Sequence, residues 1–256
     1  MSSFFEKIGA SARAANEKTG SITIMLGQAT YFSLFPPYKL RNIFKQMEFV
    51  GVKSLFVVIL TGAFTGMVLA MQSHHALQNF GAEVMVGPAV ALSMTRELGP
   101  VISSLMVAGR AGSAMATELG TMRVSEQIDA ITTMGLNPVK YLVVPRIIAG
   151  ICMLPLLVII ADFCGILGGY FVATNLLDIN AGVYISSTIE HMEMSDIFNG
   201  LLKAVVFGLI ISLMGAFHGF YAKGGAEGVG RAATDAVVSG CVLILIFDYI
   251  LTSMMF

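Results

Sequence analysis

Apolar residues in this chain gather into long runs instead of alternating along short ones. Five runs stand out, at about 50–71, 84–117, 141–175, 197–221 and 232–255. A hydrocarbon core of about 30 Å needs roughly 20 apolar residues in helical form. A chain in lipid must also satisfy its own backbone hydrogen bonds. The pattern therefore predicts an all-α polytopic membrane protein with five transmembrane helices. Ahead of the first run, residues 38–50 set Leu40, Ile43, Phe44 and Met47 at helical spacing, with Lys39, Arg41 and Lys45 between them. That is the pattern of an amphipathic helix lying in the membrane interface. Residues 22–35 are apolar but followed by no cleavage pattern, so no secretory signal is read there, and their length fits a helix lying in the interface better than one crossing the bilayer. The chain thus divides into an N-terminal cytoplasmic and interfacial region, 1–49, and a five-span domain, 50–256.

The second run is the unusual one. As a helix it would be on the order of 50 Å long, more than a bilayer needs, so it must tilt, kink or protrude. Pro100 gives the kink a cause. It has no N–H, and its ring clashes with the carbonyl of Arg96, four residues earlier. A freed carbonyl and two charged side chains, Arg96 and Glu97, coincide at that turn. Beyond it, AGRAGSA at 108–114 offers small residues for close helix contact, with Arg110 and Glu118 placed to cap, pair or snorkel. The chain then leaves the apolar phase. Residues 121–134 read as a short amphipathic helix, with Ile128, Ile131 and Met134 on one side and Ser125, Glu126 and Asp129 on the other. Gly135 and Asn137-Pro138 stop it. Residues 72–83, 176–196 and 222–231 read as loops.

A hydrophobic content of 56% with 12% charged residues excludes an ordinary soluble domain. Cys152, Cys164 and Cys241 lie in apolar runs without metal-ligand spacing, and read as buried hydrophobes. His74 and His75 are adjacent and cannot share a helical face, so no metal site is expected there. The distribution of charge says more than its sum. Lys7, Arg13, Lys18, Lys39, Arg41, Lys45, Arg123, Lys140, Lys223 and Arg231 all fall on one side of a five-span topology. By the positive-inside rule the N-terminus, the 121–134 helix and the 222–231 loop face the cytoplasm, and the C-terminus faces outward.

Ionisable groups inside a span are costly and are functional candidates by default. Arg96, Glu97, Asp162, Lys203 and Asp248 are the ones well inside, and all but Asp162 fall toward the outer half. Gathered together they would form a hydrated polar site within an apolar cavity, suited to an amphiphile with its headgroup at the charges. The alternative is a structural set of ion pairs, to which Asp162 is assigned.

The string RELGPVISSLMVAGRAGSAMATELGTMRVSEQIDAITTMGLNPVKYLVVPR, residues 96–146, resembles the signature of the MlaE (YrbE) family of ABC-transporter permeases. The RELGP, AGRAGS, ELGxM, EQIDA and MGLNP–PR pieces appear in order, and the likeness extends from GAFTGMVLAMQ in the first span to the final FDYILTSMMF. The resemblance implies an inner-membrane homodimer with two cytoplasmic MlaF-like ATPases and an MlaD-like MCE protein on its outer face, and leaves room for an MlaB-like STAS-domain subunit. Its cargo would be phospholipid moved between inner and outer membranes, which maintains outer-membrane lipid asymmetry. By the same resemblance, 121–134 is the coupling helix, with Arg123, Glu126, Gln127, Asp129 and Met134 toward the ATPase. Leu69, Gln72, Ala76, Leu77 and Phe80 would line an outward pocket at the dimer interface with Arg96 and Glu97. Lys203 and Asp248 join them on depth and charge. No G-x-x-x-x-G-K-[ST] occurs, so ATP would be bound by a partner, and neither an enzyme nor a cofactor or nucleic-acid site is expected in this chain.

Two other classes compete. A stand-alone secondary transporter of an amphiphile would use Arg96, Glu97 and Asp162 as an ion relay; the absence of a visible internal repeat weighs against it. An intramembrane enzyme would need a nucleophile or metal at depth, but the histidines are confined to 74, 75, 191 and 218.

Overall fold

The computed structural model describes residues 2–34 and 40–255, with side chains for 16–33 and 40–255. Tyr38 and Lys39 of the interfacial helix lie outside the described residues, as do the side chains of Lys7 and Arg13. The described chain is helical throughout, without a strand. Helix α1 (Ser2–Leu34) is longer than the short apolar run at 22–35 suggested, and Met25 and Ala29 seat it on the bundle at 2% exposure each. Helix α2 (Leu40–Val50) is the amphipathic one, and α3 (Leu55–Leu77) follows after a short 3-10 turn.

The next helical stretch, 83–124, is built from α4 (Val86–Ser93), α5 (Gly99–Val107) and α6 (Ser113–Val124). Two π segments, Met94–Leu98 and Ala108–Gly112, join the three. Helix α7 (Gln127–Thr133) follows and buries Ile128 and Ile131. Helix α8 (Val144–Asn175) continues a third π segment, and α9 (Ala181–His191) precedes α10 (Met194–Phe220) and α11 (Gly225–Met255).

Among the described residues, four stretches are long and apolar enough to cross a membrane: Leu40–Phe80, Val139–Asn175, Met194–Phe220 and Gly225–Met255. The composite 83–124 stretch, which carries Arg96, Glu97, Arg110 and Glu118, is not among them.

Helix α10 is the axis of the bundle. Of its apolar window 72% is buried, against 11% for α11. Its glycines explain how neighbours come so close. Gly200, Gly208, Gly215 and Gly219 face the carbonyls of Thr95, Gly150, Gly112 and Ala116, and a Cβ at any of them would meet backbone oxygen. The α3–α8 seam works the same way, with Gly62 against Ala161 and Gly66 against Gly165. Between apolar helices in lipid, such close packing supplies the attraction that hydrophobic burial supplies in water. Two cores result. The larger joins α5, α6, α8 and α10. The smaller lies toward α9 and includes Ala70, Val86, Val90, Met94, Val172 and Tyr184. Tyr184 is 2% exposed, and its ring meets Tyr170 edge-on at 5.7 Å. Burial pushes its phenol up to about 12, so it stays neutral.

Several sequence expectations need correction. Residues 72–83 are not a loop: α3 continues through His74 and His75 to Leu77, and stops where Gly81 turns left-handed at φ 63°. Nothing in Ser-His-His-Ala opposes a helix, and polarity alone suggested the loop. Residues 176–196 contain α9, started by Asn180, whose side chain accepts from the amides of Gly182 and Val183. The 222–231 loop is shorter than expected because α11 starts at Gly225. Residues 121–134 are not one helix. Helix α6 runs to Val124, and the chain then turns through Glu126 at φ 58° into α7. Ile128 and Ile131 face the core as expected, but Met134 is 67% exposed because the helix has ended before it.

Candidate functional site

The charged groups assemble where the second long stretch is irregular. From Met94 to Leu98 the helix widens, and the Gly99 amide reaches back five residues to the Met94 carbonyl. Pro100 cannot bond the Arg96 carbonyl. Lys203 Nζ, from α10, donates to that oxygen at 3.0 Å. The same ammonium donates to Glu97 Oε2 at 2.6 Å and to Thr252 Oγ1 at 2.7 Å. An ammonium has three hydrogens, and these contacts commit all of them. Asp248 Oδ1 stands 3.1 Å away as a further counter-charge, and Thr252 donates on to the Glu97 carboxylate.

Beside this group, Arg96 Nε donates to Asp196 Oδ1 at 2.7 Å. Asp196 is 2% exposed and accepts with its other oxygen from the Glu193 amide, closing the capping box that starts α10. Five ionisable groups from three helical stretches thus meet at one bulge. Their exposure divides them. The Lys203 side chain is 0% exposed, while Arg96 and Glu97 are 36% and 37% exposed. Arg96 and Glu97 are therefore the more accessible of these three, and Lys203 is enclosed behind them.

Leu69 and Leu77 pack, half-buried, on the smaller core; Gln72 and Ala76 are exposed, and Phe80 is 84% exposed. Met94 and Leu98 of the bulge pack on that same core, so the end of α3 adjoins the charged cluster through it. Asp162 stands apart from Lys203. Its Oδ1 lies so close to Gly99 that a Cβ there would overlap it, and that oxygen is buried without a hydrogen-bond partner.

Asp196 and Thr252 were missed from sequence, although each carried a signal. Asp196, Gly200 and Lys203 fall on one face of a helix, as do Asp248 and Thr252.

At the other end of the bundle, Arg110 ties α2 to the second stretch. Its Nη2 donates to the Phe49 carbonyl and its Nε to Ser54 Oγ at 2.8 Å, with the guanidinium over the Phe49 ring. Arg146, 3% exposed, donates to the Leu142 carbonyl and to Glu118 Oε2 at 2.7 Å. The capping and pairing expected of Arg110 and Glu118 are both present. Around α7, Arg123 Nη1 pairs with Asp129 Oδ1 at 2.6 Å, and Gln127 Nε2 donates to Ser125 Oγ at 3.0 Å. Glu126 sits at the left-handed turn. Arg123 is partly exposed, and Glu126, Gln127 and Asp129 are exposed.

Comparison with known proteins adds a second line. The family model described as Permease MlaE matches residues 43–254. A probable ABC transporter permease protein of Rickettsia felis is 46% identical over 240 residues, covering 94% of this chain and 93% of that protein. The intermembrane phospholipid transport system permease protein MlaE of Haemophilus influenzae is 39% identical over 213 residues, covering 83% and 82%. The chloroplastic protein Trigalactosyldiacylglycerol 1 of Arabidopsis thaliana is 38% identical over 236 residues, covering 92% of this chain and 67% of that protein.

Proposed function

The chain belongs to the MlaE permease family, and on that premise we propose that it is the membrane subunit of an ABC transporter that moves phospholipid between inner and outer membranes. In this reading the 83–124 stretch is a fifth span alongside the four apolar ones, and the protein lies in the inner membrane of a diderm bacterium. The K/R bias places the N-terminus in the cytoplasm and the C-terminus in the periplasm. The chain acts as a homodimer. An MlaF-like ATPase binds and hydrolyses the nucleotide, an MlaD-like MCE protein meets the outer face, and an MlaB-like subunit completes the cytoplasmic side. The chain itself holds no cofactor.

The observation that carries this reading is the charged cluster on the bulge. A phospholipid offers an anionic phosphate, in many headgroups a cationic amine, and two apolar tails. Arg96 and Glu97 present one charge of each sign at the edge of an apolar wall. The tails lie along Leu69, Gln72, Ala76, Leu77 and Phe80 at the end of α3. Lys203 and Asp248 act through Glu97 and the Arg96 carbonyl, holding the bulge in register. At the opposite end, Arg123, Glu126, Gln127, Asp129 and Met134 around α7 take the thrust of the ATPase. The turn at Glu126 makes α7 a short lever packed by Ile128 and Ile131. Since 83–124 runs from the cluster to this lever, a shift of α7 reaches the bulge along one stretch.

A photo-crosslinking amino acid tests the pocket. Placed at Phe80 or Leu77, it should capture phospholipid that survives detergent exchange. Placed at the exposed Phe163 on α8, it should capture only exchangeable lipid. Equal capture at both places would remove the pocket from the account.

A further inference from the structure

A cavity of about 300 Å³ opens between α1, α10 and the start of α11, at the end of the bundle away from the charged cluster. Its lining includes Lys18, His218, Tyr221, Lys223, Arg231 and Asp235. Three cations on three separate elements point to one crevice, opposed by Asp235. Arg231 also pairs with Glu227 at 2.8 Å, but both are largely exposed and such a pair is weak. Helix α11 begins at Gly225, so the positive end of its dipole lies at the mouth. The turn is tight by construction. Gly224 and Gly225 take positive φ, and Gly228 packs so closely on the Lys223 carbonyl that a Cβ would overlap it. That fold-back holds Lys223 beside the first turn of α11.

The floor is apolar. The Phe217 and Tyr221 rings meet at a 54° tilt with centroids 5.0 Å apart, and Ala222 and Ala232 also line the crevice. His218 is 7% exposed, with Nε2 3.1 Å from Ser239 Oγ, so it forms part of the wall. Helix α1 supplies one side of the crevice and leaves Ile24 and Tyr31 exposed, at 63% and 59%, although Met25 and Ala29 are buried. Apolar surface uncovered beside a cationic crevice is the arrangement of an element immersed in headgroups and upper acyl chains.

We propose that this crevice binds the phosphodiester headgroup of a resident anionic phospholipid, which fastens α1 to α10 and α11. The site is distinct from the charged cluster and takes a lipid that is not cargo. The identity of the leaflet rests on the orientation proposed above; the binding chemistry does not.

The test uses the purified full chain in nanodiscs, where both faces meet the same lipid and orientation has no influence. Bilayers of phosphatidylcholine with a minor fraction of phosphatidylglycerol are compared by native mass spectrometry after gentle release. The chain should retain phosphatidylglycerol over phosphatidylcholine, and K18Q, K223Q and R231Q should each weaken retention about fivefold. The charge-preserving K18R/K223R/R231K variant should retain it, which separates lost charge from lost folding. Lys53→Gln, at a different cavity, should change nothing. Two results would overturn the proposal: unchanged phosphatidylglycerol retention in the triple K18Q/K223Q/R231Q variant, or displacement of the lipid by millimolar inorganic phosphate, which would assign the crevice to a free anion.

Discussion

Replacing Lys203 by methionine keeps most of the side-chain volume and removes one charge. The structure sets the size of the effect. The ammonium is fully enclosed and gives its three hydrogens to the Arg96 carbonyl, Glu97 and Thr252, with Asp248 3.1 Å away. Removing one partner of a buried ion pair costs about 3–5 kcal/mol, chiefly because the remaining charge is stranded. Glu97 is 37% exposed and can recover some hydration, which places K203M near the lower end, about 3 kcal/mol. Neutralising the stranded groups should recover part of that loss. E97Q/D248N added to K203M should therefore cost less than the sum of the separate changes, by about 1–2 kcal/mol of coupling. Equilibrium unfolding in mixed micelles with graded denaturing detergent measures both quantities. Wild-type stability in K203M, or strict additivity with E97Q/D248N, would refute the view that Lys203 holds the bulge by charge.

Other consequences follow from the same geometry. Gly66→Ala would drive a methyl group into the Gly165 backbone; overpacking of this kind costs about 1–3 kcal/mol, read by the same unfolding assay, whereas Gly109→Ala, with open space around it, should be silent. Arg110→Lys cannot reproduce two donors in a fixed fork, so hydrogen exchange around Phe49–Ser54 should rise in that variant as it does in Arg110→Ala. Reversing Glu126 and Asp129 to Lys should abolish ATP-driven lipid transfer in proteoliposomes while the purified chain still carries lipid; intact transfer would remove α7 from the coupling path.

The sequence showed most where one physical rule dominated. Long apolar runs have no soluble alternative, so the helical membrane architecture could be read directly. Pro100 announced a freed carbonyl, and the Arg96 oxygen does receive a donor from elsewhere. What periodicity could not show was which distant residue supplies it. Lys203 is 107 positions from Arg96, and only packing along the glycine face of α10 brings it there. Polarity misled at the end of the bundle where α3 and α9 meet the smaller core. His74 and His75 continue α3, and the 176–196 segment read as a loop contains α9, because polar residues in the headgroup region are compatible with helix as well as loop. The 121–134 segment failed for a different reason. Its amphipathic spacing is real, but Glu126 adopts a left-handed turn that no hydrophobic pattern encodes. Asp196 stayed hidden inside the segment read as a loop, since its partner Arg96 is a contact of the folded bundle.

The most direct test of the central claim is native mass spectrometry of the protein, affinity-purified in mild detergent from its own membrane. Two copies of this chain should emerge carrying two ATPase subunits, an outer MCE assembly and retained phospholipid, with the lipid diminished in K203M. A monomer that reproducibly carries neither ATPase nor lipid would contradict it and favour a transporter driven by ions through the intramembrane charges.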